Sequence, residues 1–531
     1  MSSGMAGARA AAKGDPLLEA MIAELERSKS GLKMDQVQAP YYVEYRLSEI
    51  EGYGVEAAFG ALRDEQKFRV RYLRAVVRVG DYKQDSYFGQ GAGASEVMPL
   101  DDDPLALRHQ MWLVTDQAYK AASEALTAKQ AMLKQFNVDQ PVDDFAHAPV
   151  LQSVGPLVHL EYSPEHWRKV LEDATNLYRK YPDVQSVEGS VRFTAINEYF
   201  VNTEGTVTRE GHATYALVLS SATQAPDGMR LERSPYYMMA KPEELPSDAK
   251  ISADAVKMLD TIVRLRQAPI VEEEYRGPVL FYADAADDVF AGLVGSNVLG
   301  RKPQPGHPAR TTGQYATSFK SRVLPDFVTI VDDPTMKEFQ GHSLVGSYDV
   351  DSEGVKAAPV TVVDKGQLIN YLLGREPIRD FPESNGHARA AFGAGPTPST
   401  ANLVVRAEKS SSLNDLKKQM MEMCRNQGRP YGYYVETLGP GMAPRLLYRI
   451  WEKDGREELV RGAVFNELDV RTLRNNLAAA GNDPLVSNRL GGLPTTVISP
   501  SVLFDELEVK RADASKDKLP EYPPPPLTNP R

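Results

Sequence analysis

Hydrolytic zinc chemistry needs two imidazoles on one face of a helix, with a carboxylate between them to act on the metal-bound water. This chain has no His-Glu dipeptide. Its eight histidines (His109, His147, His159, His166, His212, His307, His342 and His387) are scattered. The closest pair in sequence, His159 and His166, straddles a predicted strand-to-helix junction. An isolated histidine is ordinarily a surface or hydrogen-bonded residue. A metal site would have to be assembled in space, for example from His342 and His387 with neighbouring carboxylates.

Other residue types invite other chemistry. Cys424 is the single cysteine; it follows Leu413, Leu416, Met420 and Met423 on a helical stripe, which is the pattern of a buried apolar thiol rather than a nucleophile. With no second cysteine, neither a disulfide framework nor a cysteine zinc ribbon can form. Asp332 and Asp333 could pair for acid-base work, although an aspartate pair ahead of Pro334 more often marks a solvated turn with a capping carboxylate. Residues 101–103, three aspartates, read as a charge run complementing a helix dipole. The glycine-rich piece 393–398 lacks the lysine and hydroxyl of a phosphate loop and reads as a turn-dense loop.

The elements that would hold these residues follow from capping and periodicity. Asp15-Pro16, Asp103-Pro104 and Ser163-Pro164 each combine an N-cap residue with proline at the first helical position, ahead of apolar residues at helical spacing. Between them, alternating aromatic and β-branched runs at 41–46, 54–62 and 67–79 predict a meander, and runs at 187–194, 198–202 and 206–220 predict a second group of strands. Residues 202–205 supply turn chemistry. Residues 233–248, rich in proline and charge, read as a linker before a helix at 252–266. Beyond 275 the texture changes to a strand at 278–282, a helix at 283–297, and short strands such as 327–331, 358–363 and 403–405.

At 531 residues the chain exceeds the roughly 250 that one core supports. The expected fold class is α+β: a disordered lead (1–14), an N-terminal α+β domain of sheets and long helices (15–248), a β-rich C-terminal domain (249–512) and a proline-rich tail (513–531). A net charge of −11 argues against general nucleic-acid or anionic-membrane binding, which needs a basic surface. No run approaches the roughly 18 apolar residues of a spanning helix, and the first residues carry no apolar signal core. The expected compartment is the cytoplasm, or the periplasm if a signal peptide has been removed.

The order of segments in the second half resembles the TldD/PmbA (TldE) family of metallopeptidase-related proteins. The carriers are Gly277-Pro-Val-Leu-Phe-Tyr282, Ala291-Gly-Leu-Val-Gly-Ser296, Ala316-Thr-Ser-Phe319 and Phe327-Val-Thr-Ile-Val-Asp-Asp-Pro-Thr335. Asn385-Gly-His-Ala388, Thr400-Ala-Asn-Leu403, Gly432-Tyr-Tyr-Val435 and the segment 458–477 follow. Asp15-Pro-Leu-Leu-Glu-Ala-Met21, Pro40-Tyr-Tyr-Val-Glu-Tyr45 and Val77-Arg-Val-Gly-Asp81 are similar to a bacterial subgroup with a long N-terminal extension.

The resemblance implies a place for the metal motif. The peptidase-active TldD type carries His-Glu-x-x-x-His on the helix after the first of these strands, and the match puts Ala291, Gly292 and Ser296 at those three positions. The resemblance therefore implies the PmbA/TldE type: a non-catalytic subunit with no metal or cofactor of its own. It would pair with a zinc-bearing TldD-like subunit in a heterodimeric protease for unfolded or extended peptides. Two other functions stay open, a divergent active metallopeptidase with relocated ligands and a homo-oligomeric peptide-binding or scaffold protein.

Overall fold

A computed structural model describes residues 3–34, 37–136, 142–271, 274–304, 307 and 309–513. The architecture is α+β. Its first sheet is built on two 19-residue strands, β1 (Pro40–Ala58) and β2 (Ala61–Val79). They are joined by a two-residue turn in which Phe59 (φ 52) and Gly60 (φ 78) both take positive φ, the conformation whose twist matches the flanking strands. The three separate runs expected at 41–79 are thus one hairpin. The polar, glycine-containing stretch through Gly52 does not break β1, because β1 is paired on both edges, with β2 and with β5 (Ser186–Asn202). Tertiary pairing overrides weak local propensity there.

The same correction applies at 187–202, which is the single strand β5. The expected turn after it does form: Asn202 Oδ1 accepts from the amides of Glu204, Gly205 and Thr206. The short strands β3 (Ala94–Met98) and β4 (Gln152–Val154) edge the sheet, and β6 (Val207–Gln224) completes the order β3-β2-β1-β5-β6-β4. Helices α2 (Pro16–Gly31), α3 (Pro104–Phe136), α4 (Pro164–Asn176) and α5 (Asp248–Gln267) cover one face. Asp15 and Ser163 cap α2 and α4 through their side chains, as expected, and Asp103 accepts from the Ala106 amide at the start of α3.

Two boundary expectations are corrected. The lead is not disordered over its length: Ser3–Ala12 forms α1, and Met5, Ala8 and Ala12 pack into the core with α2. Small residues at one-turn spacing were enough to bury a face. The stretch 233–248 is not a free linker, because strands β7 (Arg230–Arg233) and β8 (Tyr236–Met239) both pair with β6. The proline run of the tail lies outside the described residues.

The C-terminal half contains two further principal sheets. One is built around β9 (Tyr275–Phe281), the other around β10 (Val328–Asp332). The apolar side chains of both, Val279 and Phe281 with Ile330 and Val362, close on a shared core that also takes Ala285, Ala286, Val289 and Phe290 of α6 (Ala283–Phe290). On the outer face of the β9 sheet, α7 (Leu413–Asn426) buries Leu416, Met420 and Cys424 against Leu280 and Leu503.

The halves are tied by a buried cation. Arg375 has no exposed surface. Its Nε and Nη2 donate to the Ala146 carbonyl (2.9 and 2.7 Å) and Nη2 also meets Glu204 Oε1 (2.8 Å).

Candidate functional site

Helix α6 does not end as an α-helix. It runs on as a π turn over Ala291–Gly295, closed by the Ser296 amide donating to the Ala291 carbonyl at 3.1 Å. In an α-helix, residues five apart point about 140° away from each other. An i→i+5 turn brings them nearly one above the other, and such turns, rare overall, are frequent at functional sites. The π turn therefore sets Ala291 and Ser296 toward a common side, with Gly292 following Ala291.

None of the three offers an imidazole or a carboxylate. Ala291 packs on the core. At Gly292 an added Cβ would come within 2.4 Å of Met442 Cε. Ser296 is exposed, and its hydroxyl donates to the Gly292 carbonyl. Among the described residues no three His, Cys, Asp or Glu side chains converge. These residues do not fit a zinc ion, and no hydrolytic step is derived through one.

The remaining candidates separate. His387 is buried, its Nδ1 beside Asn385 and its Nε2 3.2 Å from Asp332 Oδ1. Asp332, itself buried, accepts the Ala401 amide. His342 is exposed on a short ribbon, so the pair does not form one buried centre. His159 and His166 are also exposed, each near a different carboxylate, Glu51 and Asp248. Asp333 caps its own turn through the Thr335 amide and hydroxyl. Cys424 is buried, and burial pushes its thiol up to about 11, far from a thiolate nucleophile.

Sequence reasoning passed over two features. The first is Asp287 on α6, with no exposed surface and no hydrogen bond on either oxygen. Burial raises it well above the ordinary carboxylate range, against the lowering influence of Arg489 and Ser499. The signal was available: Ala283, Ala286, Asp287, Phe290 and Val294 share one helical stripe. Its neighbour Asp288 instead pairs with Arg489 at 2.7 Å.

The second is a cavity of about 200 Å³ between the uncovered face of the first sheet and loops of the C-terminal half. Its floor comes from alternate residues of three adjacent strands, in register as the rows Arg46–Phe200–Thr208, Ser48–Glu198–Glu210 and Ile50–Ile196–His212. Period-2 alternation fixes this face. Tyr348, Asp351, Arg389 and residues 490–494 contribute to the rest of the lining.

An α+β chain with a helix-covered N-terminal sheet and a two-sheet C-terminal domain is the architecture of known proteins. Residues 274–511 match the model of the PmbA/TldA metallopeptidase C-terminal domain. The solved TldE of Thermococcus kodakarensis superposes with a TM-score of 0.60 at 12% identity, covering 93% of this chain and 100% of that one. A proposed modulator of DNA gyrase from Bacteroides thetaiotaomicron does so with a TM-score of 0.61 at 14% identity, covering 93% and 98%. A further proposed gyrase modulator, from Thermotoga maritima, gives 0.59 at 16%, covering 88% and 96%. At these identities the likeness is one of fold.

Two curated proteins named Metalloprotease align over shorter stretches. One, from Methanothermobacter thermautotrophicus, is 36% identical over 86 residues, which is 16% of this chain and 18% of that protein. The other, from Archaeoglobus fulgidus, is 29% identical over 104 residues, 20% of this chain and 23% of that protein. The alignments thus span less than a quarter of either relative. Residues 274–511 of this chain thus belong to the PmbA/TldA metallopeptidase C-terminal domain family, and over the rest of the chain the likeness is one of fold.

Proposed function

We propose that this chain is the non-catalytic, PmbA/TldE-like subunit of a metallopeptidase, pairing with a TldD-like subunit that carries zinc on His-Glu-x-x-x-His. The observation that carries the reading is the π turn. A backbone that brings residues i and i+5 to one side is what a His-x-x-x-x-His pair of ligands requires, and here those positions hold Ala291 and Ser296, with Gly292 between them. An alanine has no lone pair and a glycine cannot polarise water, so peptide hydrolysis falls to the partner. This chain then supplies interface and channel wall for an unfolded or extended peptide, which strand edges hold through backbone hydrogen bonds without reading much sequence. The fold likeness to the Thermococcus kodakarensis TldE supports the same reading.

The test is affinity purification from the native source with metal analysis. The expected result is a copurifying protein bearing His-Glu-x-x-x-His, zinc in the complex, and none bound stoichiometrically by this chain alone. Chelator-sensitive peptide hydrolysis by the isolated chain overturns it. A stable homodimer indifferent to a TldD-like protein would favour a scaffold instead.

A further inference from the structure

The cavity on the first sheet holds a guanidinium edge with nothing to bind. Arg46 is 5% exposed. Its Nη2 donates to the Ala394 carbonyl, whereas its Nη1, equally out of solvent, has no protein partner. A buried donor left unmade is costly, and more so on a charged group, so each such group calls for an explanation. Neither of the carboxylates that act on Arg46 is paired with it. Glu44 accepts the Tyr42 hydroxyl at 2.6 Å, and Glu198 takes only a long contact from Ser48 at 3.5 Å. Among the described residues none forms an ion pair with Arg46.

The rest of the lining defines what could answer it. Arg389 contributes a second guanidinium, held by the Thr400 and Pro494 carbonyls (2.9 and 2.7 Å) and set over the Tyr348 ring at 5.1 Å. Burial lowers the pKa of both arginines, the direction of cations short of anionic partners. One pleat along the sheet, about 7 Å from the Arg46 row, Glu198 and Glu210 stand directly opposite each other on neighbouring strands. Like charges in register repel. Glu210 is occupied by the Asp349 and Val350 amides (2.8 and 3.1 Å), which leaves Glu198 as the acceptor still open. One end of the cavity thus lacks an anion and the next row lacks a donor. At about 200 Å³ it is smaller than the roughly 300–1,000 Å³ of drug-sized sites.

We propose that this cavity binds a small carboxylate that also carries a hydrogen-bond donor, its carboxylate on Arg46 Nη1 and its ammonium or N–H on Glu198. The C-terminus of a peptide and a free amino acid or dipeptide share this chemistry. The site belongs to this chain alone, so the proposal stands or falls apart from the assignment as a subunit.

Calorimetric titration of the full chain tests it. Alanyl-alanine is expected to bind at least about tenfold more tightly than its C-terminal amide, the loss expected when one charge-assisted pair is removed. Hexaalanine binding as well as the dipeptide identifies a peptide terminus as the source; binding of alanine and the dipeptide but not hexaalanine identifies a free small acid. R46M is expected to abolish the preference for the acid over the amide. Because Arg46 also holds the Ala394 carbonyl, E198Q provides a second variant that keeps the shape: it should weaken alanyl-alanine but not propionate, which carries no donor. No binding of any of these acids to the wild-type chain up to about 10 mM, or equal binding of acid and amide, overturns the proposal.

Discussion

The hairpin of residues 485–499 separates two polar regions that differ in what they keep. On one side it packs on α6, where the π turn sets Ala291 and Ser296 toward one side with no imidazole or carboxylate on either. On the other its tip borders the cavity, where charged side chains are kept but Arg46 Nη1 has no acceptor. A backbone irregularity needs no polar side chain to persist, because the surrounding core, Val289, Phe290, Leu293 and Val294, fixes it by packing. An unpaired buried charge has no such support, since its cost recurs in every folded molecule. The first region therefore speaks of shape and the second of binding.

The cavity depends on the two halves staying joined, as the π turn does not, and the strongest perturbation is at that seam. Arg375→Met leaves the buried Ala146 carbonyl without its donor and takes from Glu204 its cation, Tyr82 and Asn202 remaining as its donors. The expected loss is about 3–5 kcal/mol, read as a lower urea midpoint. A loss under about 1 kcal/mol would mean that the seam is held by apolar contacts and that the cavity can open without disrupting it.

The π-turn side is broken next. Gly292→Glu puts a carboxylate where the proposed reading places the motif glutamate, and drives a side chain into Met442, at an expected cost of about 1–3 kcal/mol. Met442→Ala in the same chain should recover most of that cost. Recovery, followed by thermal unfolding, would show that Met442 occupies the space a motif glutamate would need. Gly292→Glu with unchanged stability would show instead that the position is open and that its glycine reports nothing about the site.

What could be read in advance divides along similar lines. The caps at Asp15, Asp103 and Ser163 and the Cys424 stripe were legible because they are local: a side chain and the next turn of helix decide them. The lengths of β1 and β5 were not, since polar residues such as Ser48 and Asn197 are carried through by neighbours on both edges. The cavity floor was written in the alternation of Arg46, Ser48 and Ile50, and the turn after Asn202 sets Glu198 opposite Glu210, but β1, remote in sequence, had to be placed beside that hairpin before Arg46 joined them. The three motif positions came from resemblance alone. The π turn that gives them a geometry was invisible in the sequence, because an i→i+5 bond has no composition of its own beyond Gly292 and Gly295.

Asp287 tests whether the α6 side retains a tuned group. Its folded pKa lies above the ordinary value of 3.8, so the folded state holds the proton more tightly than the unfolded chain. Its stabilising contribution is complete below that ordinary value and is lost as pH rises through the folded pKa. Asp287→Asn, which carries no charge to desolvate, should therefore be more stable than the wild type at neutral pH by about 1 kcal/mol. The difference should vanish below pH 3.8. A constant difference across pH would assign the effect to packing rather than ionisation.

The smallest effect belongs to Ser296. Its exposed hydroxyl donates only to the Gly292 carbonyl one turn back, and hydroxyls bonded back onto a helix carbonyl add little to stability. Ser296→Ala should change stability by less than about 0.5 kcal/mol and leave the content of the affinity-purified complex unaltered. The contrast with Arg46 is the point at issue, because both are polar residues in candidate sites and only one is buried without a partner. If Ser296→Ala stripped zinc from the complex, the hydroxyl would be reaching the partner's metal. The π turn would then have kept chemistry as well as shape.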